Sequence, residues 1–338
     1  MSGILVIRPK GLGDVVRIFP SLKMLREHYP DKKIALLTSP GFGDLLPESL
    51  NIDVITLKSR ATPKEFLRTI KTVRKYKFDA VYDLYGTGNT ALITIASGAP
   101  ERYGFNYRGR KHAYNHIYQA EKKDIHYLEL FEDFFNRFGI PGKAQFVPIE
   151  FTETTLEEAR KLIPYDPDDI SPFLTINPNS QLQSKQWPEE NVIELINLWH
   201  ETFAMPTMLL NSPSEAHITE SILKKTGNKA FTHEQTNLKT LAALISFSDI
   251  FVSGDTGPMH LSWATGTPTV ALFGPFPPHA AFPIGEQHLS LKKDVDCSPC
   301  WSYECRNLSF DCMKKLTGKF VFEKILEKYD FETGKSDL

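Results

Sequence analysis

Two glycine-rich turns in this 338-residue chain each carry a carboxylate. In SGDTGP, residues 253–258, Asp255 follows a strand-like apolar run at 250–252 and precedes a helix that Pro258 opens and Gly266 and Pro268 close. The first N–H groups of a helix lack intrahelical partners and lie at the positive end of its dipole. A strand, a Gly-containing turn and a helix start therefore make an anion site. Asp255 would repel phosphate and suits hydroxyl groups instead, so the pairing fits a ligand with both phosphate and polyol, such as a nucleotide sugar. The turn alone leaves open an ordinary N-cap Asp. The second turn, in RPKGLGD at 8–14, follows the apolar run at 4–7 and presents Asp14 at a helix start. A dinucleotide fingerprint needs a third glycine where this chain has Val16, which argues against NAD. Here too an N-cap role for Asp14 is the alternative.

Other candidates lie in loops at the same sheet edge. Ser180 and Lys185 follow a strand at 173–176, and Glu215 follows a strand at 207–211. Lys185 could neutralise a diphosphate and Glu215 could accept ribose hydroxyls, against the alternative of plain exposed loop residues. His260, inside the helix after Asp255, reads as a core or capping histidine and is counted with the donor-binding set. RYGFNYRGRK at 102–111 interleaves Arg102, Arg108, Arg110 and Lys111 with three aromatics. It reads as a solvated surface loop or as an acceptor site for a phosphorylated or carboxylated molecule, since Arg forks match such oxyanions. All four cysteines, Cys297, Cys300, Cys305 and Cys312, fall within 16 residues. In a cytosolic chain such clustering favours a structural zinc or iron over disulfides, with reduced thiols as the other option.

The elements that must position these residues alternate strand and helix. Strands are expected at 4–7, 33–38 and 80–84 and helices at 15–28, 62–76 and 126–138; an extended stretch at 143–151 and a helix at 154–162 lead to a Pro- and Asp-rich linker at 163–171. A second α/β half repeats the pattern, giving domains at 1–162 and 172–338 with parallel sheets whose carboxyl edges carry the loops. The formal net charge of −2 argues against nucleic-acid binding. With no apolar run approaching a spanning helix, a cytoplasmic location is expected, at most resting on a membrane surface.

RPKGLGD, then NSQLQSKQWPEE, then SGDTGPMHLSWATGTPTVALFGP, in this order, resemble the bacterial heptosyltransferases of glycosyltransferase family 9. The resemblance implies a GT-B architecture of two Rossmann-like domains facing a cleft, with acceptor on the amino-terminal domain and a nucleotide sugar, typically ADP-heptose, on the other. It implies inverting transfer to a lipopolysaccharide inner-core hydroxyl at the cytoplasmic face of the inner membrane, or to a protein acceptor, or a non-catalytic sugar-nucleotide binder. Asp14 then matches the general base. Ser180 and Lys185 match donor-phosphate contacts, Thr256 and Gly257 match amides at the diphosphate, Asp255 matches a carboxylate on the sugar and Glu215 matches a ribose contact. Lys10, Gly13, Arg102, Arg108, Arg110 and Lys111 form the acceptor-binding set, and no cofactor is required for catalysis.

Overall fold

The short apolar runs at 3–7, 34–38, 174–177, 250–254 and 269–273 become parallel strands buried on both faces, as continuous Val, Ile and Leu runs should. A computed structural model describes residues 3–107, 109–121, 125–169 and 172–331. Contacts divide the chain into two units, Met1–Glu150 and Phe151–Leu338.

In the first unit, β1 (Gly3–Ile7), β2 (Lys33–Thr38), β3 (Ile52–Thr56), β4 (Phe78–Asp83), β5 (Glu101–Phe105) and β6 (His116–Tyr118) form a parallel sheet in the order β3-β2-β1-β4-β5-β6. The helix expected at 15–28 is two helices, α1 (Leu12–Val16) and α2 (Phe19–His28). Pro20 has no N–H to give Val16, and its ring would collide with that carbonyl, so the helix stops and restarts. Two more, α3 (Pro63–Tyr76) and α4 (Gly88–Ala96), pack together, while α5 (Tyr127–Arg137) packs on α2. Connections β3 to β4 and β4 to β5 advance in one direction along the sheet. Right-handed crossovers therefore put α3 and α4 on the same face.

The second unit begins with α6 (Glu153–Arg160), which packs on α9 below; the division at 150/151 thus precedes the expected linker at 163–171. It continues as β7 (Leu174–Asn177), α7 (Glu189–Phe203), β8 (Thr207–Leu209), α8 (Ala216–Thr226), β9 (Ala230–Thr232), α9 (Leu238–Ser246), β10 (Ile250–Gly254), α10 (Gly257–Thr265), β11 (Thr269–Phe273) and β12 (Leu289–Lys292). After the cysteines come α11 (Asp311–Lys314) and α12 (Gly318–Lys328), which packs on α7. The sheet order β12-β11-β10-β7-β8-β9 is, read backwards, the order of the first sheet. Each unit is thus a doubly wound Rossmann-like sheet, and each has one point where the strand order reverses: between β1 and β4, and between β7 and β10. Ligands bind outside the carboxyl ends of strands at such points. The extended stretch at 143–151 pairs with no described strand.

One buried histidine gives the second unit a pH dependence. Thr269 N–H donates to Nδ1 of His288 at 3.2 Å, which leaves the ring proton on Nε2, buried and without a hydrogen-bond partner among the described residues. Burial holds the pKa of His288 down at about 4, from an ordinary 6.5. On acidification the unfolded chain therefore takes the proton first. The contribution to stability is intact above about pH 6.5 and falls by on the order of 3 kcal/mol as pH drops toward 4. His233, also buried, shifts in the same direction. Denaturant melts between pH 7.5 and 4.5 are expected to show a shallower loss of stability in His288→Gln than in the parent; parallel curves would remove His288 as the source.

Candidate active site

At the first reversal point, Asp14 stands between two guanidinium groups. Arg8, just past β1, donates Nη2–H to Asp14 Oδ1 at 2.8 Å, and Arg17 at the C-cap of α1 donates to the same oxygen. Arg8 also reaches across the reversal point to the carbonyl of Leu84, past the end of β4, and Arg17 lies 3.9 Å from the centre of the Tyr127 ring. Asp14 Oδ2 hydrogen-bonds to no described residue and packs over the Gly11 backbone. Gly11 has φ +81°, and a Cβ there would overlap Oδ2 and lie 2.9 Å from Asp14 Cγ. The N-cap alternative fails for Asp14, because the N-cap of α1 is Gly11 and no side chain caps it.

Beside this triad, Asp83 ends β4 fully buried. Its Oδ1 accepts N–H groups of Tyr85 (3.1 Å) and Gly86 (2.9 Å), and its Oδ2 accepts the Tyr114 hydroxyl (2.7 Å). Burial pushes its carboxyl up, against those hydrogen bonds. The loop so held sets the Tyr85 ring 5.5 Å from the Arg8 guanidinium, and burial together with the Asp14 charge pushes the Tyr85 hydroxyl up. Tyr85, Thr87 and Asn89 line a groove of about 600 Å³ together with Lys10, Lys58 and Arg60. Lys10 and Arg60, together with Lys58, which is paired to Glu65, make this groove basic and receptive to an anionic ligand.

At the second reversal point the strand ends meet through side chains. Asn177, the last residue of β7, donates to Ser253 Oγ (3.1 Å) and Thr256 Oγ1 (3.0 Å). Thr256 is the N-cap of α10, yet its side chain makes no capping bond to the start of that helix. Asp255 is consequently not a cap. It accepts from Lys185, whose Nζ lies 2.5 Å from Asp255 Oδ2 and 3.1 Å from its carbonyl oxygen. The Lys185 ammonium also sits 4.3 Å from the Phe276 ring centre. Lys185 Nζ has one further N–H to give. An ammonium and a carboxylate paired at a helix start that has no side-chain cap suit a diphosphate joined to a hydroxylated sugar.

A family model described as glycosyltransferase family 9 (heptosyltransferase) matches residues 66–310. The chain belongs to this family. Among its relatives, lipooligosaccharide heptosyltransferase 2 of Campylobacter jejuni is 25% identical over 95% of this chain and 96% of its own. A family 9 glycosyl transferase from Veillonella parvula superposes with TM-score 0.86 at 19% identity, over 96% of both chains. E. coli ADP-heptose lps heptosyltransferase II superposes at 0.79 with 18% identity, covering 96% of this chain and 98% of the other. The fold is the GT-B fold of these family 9 structures.

Within this family 9 chain, the remaining candidates separate by position. Ser180 Oγ is tied into a local turn with Leu182, and Glu215 is the half-buried N-cap residue of α8. His260 is buried inside α10. On the acceptor side, Lys10 lines the groove, whereas Gly13 is buried with its carbonyl accepting from Arg17. The basic stretch at 102–111 is not simply a surface loop: its first part is β5, where Phe105 is buried and Tyr103 stacks between Tyr82 and His116. Arg102 spends its guanidinium on the carbonyls of Ala99 and Ala113, which gives it a structural task. Arg110 and Lys111 are exposed, and Arg108 lies outside the described residues.

Cys297, Cys300, Cys305 and Cys312 are free thiols that line one cavity of about 360 Å³. Among the described residues, however, no group of three or more His, Cys, Asp or Glu side chains is arranged to hold a metal ion. This arrangement gives the zinc or iron expected from the spacing no support, although the thiols are neighbours: burial, then Cys297, Cys300 and Cys305, push the Cys312 thiol up. What the segment does is brace the Lys185 loop. Ser184 Oγ donates to the carbonyl of Tyr303 (2.8 Å), and Phe276, beneath Lys185, packs edge-on against Trp301.

Arg8, Arg17, Lys58, Arg60, Tyr85, Asn177 and Phe276 were not singled out by sequence. Arg17 had a legible signal, being three residues after Asp14 on a helix.

Proposed function

We propose that the chain is an inverting transferase moving heptose from ADP-heptose to a hydroxyl of a lipopolysaccharide inner-core saccharide. Family membership supports heptosyl transfer, and the relatives' donor and acceptor supply the specific substrates. The observation that carries the reading is Lys185 held against Asp255 at the uncapped start of α10. In it, the amides of Thr256 and Gly257 and the free N–H of Lys185 bind the diphosphate, while Asp255 and Glu215 accept hydroxyls of the sugar and ribose.

Asp14 Oδ2 takes the acceptor hydroxyl's proton as its oxygen bonds to the anomeric carbon. The bond from that carbon to the diphosphate oxygen breaks on the opposite side, inverting the centre, and ADP leaves with the electron pair. Lys185 and the α10 dipole stabilise the growing charge on ADP without metal participation. Arg8 and Arg17 hold the carboxylate with Oδ2 presented. The groove with Lys10, Lys58 and Arg60 receives the phosphates or carboxylates of the acceptor, which is lipid-linked and brings the enzyme to the cytoplasmic face of the inner membrane.

Calorimetry with ADP, UDP, GDP and their sugars tests the donor. Selective ADP-sugar binding is expected; preference for another nucleotide would remove heptose as the sugar, and no nucleotide binding would overturn the reading. Gly11→Ala tests the placement of Asp14. At φ +81° and ψ +117°, outside even the left-handed helical region, a Cβ-bearing residue is strained by about 1–3 kcal/mol, and the added methyl displaces the carboxylate. A misplacement of this kind lowers kcat by roughly 100-fold, measured beside a thermal melt and an unchanged donor Kd. A variant with parental kcat would show that the carboxylate position is immaterial.

A further inference from the structure

The solvent side of α3 is almost entirely basic. Lys64, Arg68, Lys71, Arg74 and Lys75 recur at helical spacing, all are exposed, and none forms an ion pair with a described residue. The one carboxylate of the helix, Glu65, is occupied by Lys58 and the Thr62 cap. Its opposite side is fixed in the core, where Val73 is fully buried and Phe66, Ile70 and Tyr76 pack against it. In a chain of net charge −2, five unpaired cations on one helix face are a local excess that the fold itself does not use.

The neighbouring helix adds a second observation. α4 has no charged residue, and its outward side carries Leu92 and Ile95, 50% and 54% exposed, while Leu67 of α3 is 57% exposed. The two helices share one face of the sheet and pack together. Their amino-terminal ends, through Pro63, Phe66, Gly88 and Asn89, also line the groove proposed for the acceptor.

We propose that the α3–α4 face docks on an anionic lipid bilayer. Lysines and arginines meet lipid phosphates in the headgroup layer, and aliphatic side chains beside them reach the acyl boundary. A nucleic acid would use the cations but has no use for three exposed aliphatics and finds no aromatic platform on these helices. The inference rests on the reading of a lipid-linked acceptor, since the groove opens beside the docked face and a saccharide anchored in that bilayer would enter it directly.

Vesicle co-sedimentation of the full chain tests this, using phosphatidylcholine alone and phosphatidylcholine with about 30% phosphatidylglycerol, a composition that supplies the anionic surface in question. Binding to the mixed vesicles only is expected, reduced by high salt. The triple variant Lys71→Glu/Arg74→Glu/Lys75→Glu should lower the bound-to-free ratio by at least about tenfold. The pair Leu92→Asn/Ile95→Asn should weaken binding at high salt as well. Both variants should keep parental thermal melts and parental transfer to a delipidated, water-soluble acceptor saccharide. No binding of the parent to anionic vesicles, equal binding by the variants, or selective binding of an RNA of matched charge would overturn the docking face. Vesicle binding without any transfer would instead overturn the proposed function and leave the docking face standing.

Discussion

Asp14→Asn is expected to lower kcat by about 10²- to 10⁴-fold, the range for removing a positioned general base. The amide nearly matches the carboxylate in shape, so Arg8 and Arg17 can still donate to its oxygen, but it cannot take a proton. The donor contacts proposed here all lie in the second unit, so donor affinity by calorimetry should be unchanged. Arg8 is only 8% exposed and loses its counter-charge in this variant, so a thermal melt must accompany the assay. A kcat within about threefold of the parent, well short of the effect of losing a base, would show that the proton goes elsewhere. Arg17→Gln is the useful comparison. It keeps the carboxylate but removes one of the two groups on Oδ1, so it should show a smaller fall in kcat than Asp14→Asn.

How this site came to be partly legible follows from the kinds of contact in it. The runs at 4–7 and 250–252 and the Gly, Asp and Pro turns after them carry strand, turn and helix start within a dozen residues, and local signals of that kind survive without tertiary information. Asp14, Lys185, Asp255, Thr256 and Gly257 fall in such segments. The partners that define their chemistry do not. Arg8 meets Leu84 across 76 positions of sequence, and Lys185 meets Asp255 across 70. Both meetings depend on the strand order, which places β1 beside β4 and β7 beside β10. The basic stretch at 102–111 misled for a related reason: Tyr103 and Phe105 alternate as a strand should, but the flanking Arg and Lys made the segment read as solvated. The continuous helix expected at 15–28 ignored Pro20, a local signal that the sequence did carry. For the cysteines, spacing along the chain brings four thiols to one cavity but does not set the ligand geometry a metal needs.

Lys185→Ala should be the most damaging change on the donor side, because it acts twice. The Lys185 and Asp255 side chains are only 15% and 14% exposed, so their pair is shielded from solvent screening. Removing the ammonium takes away the cation proposed to stabilise departing ADP, a loss of roughly 10²- to 10³-fold in kcat for one such group. It also leaves Asp255 as an uncompensated, largely buried charge facing the site proposed for the diphosphate. Donor Kd should therefore rise as well, and kcat/KM should fall further than kcat. The two effects separate in the double variant Lys185→Ala/Asp255→Asn. Neutralising Asp255 removes the repulsion, so donor binding should partly return relative to the single variant, while kcat should not, since no cation has been restored. Lys185→Arg keeps the charge but offers a planar fork in place of a compact ammonium, and a partial kcat is expected. Parental kcat/KM in Lys185→Ala would remove this residue from the donor site. A double variant that binds donor no better than the single would show that Asp255 does not oppose the diphosphate, and that the ion pair holds the α10 turn in shape rather than setting the charge the donor meets.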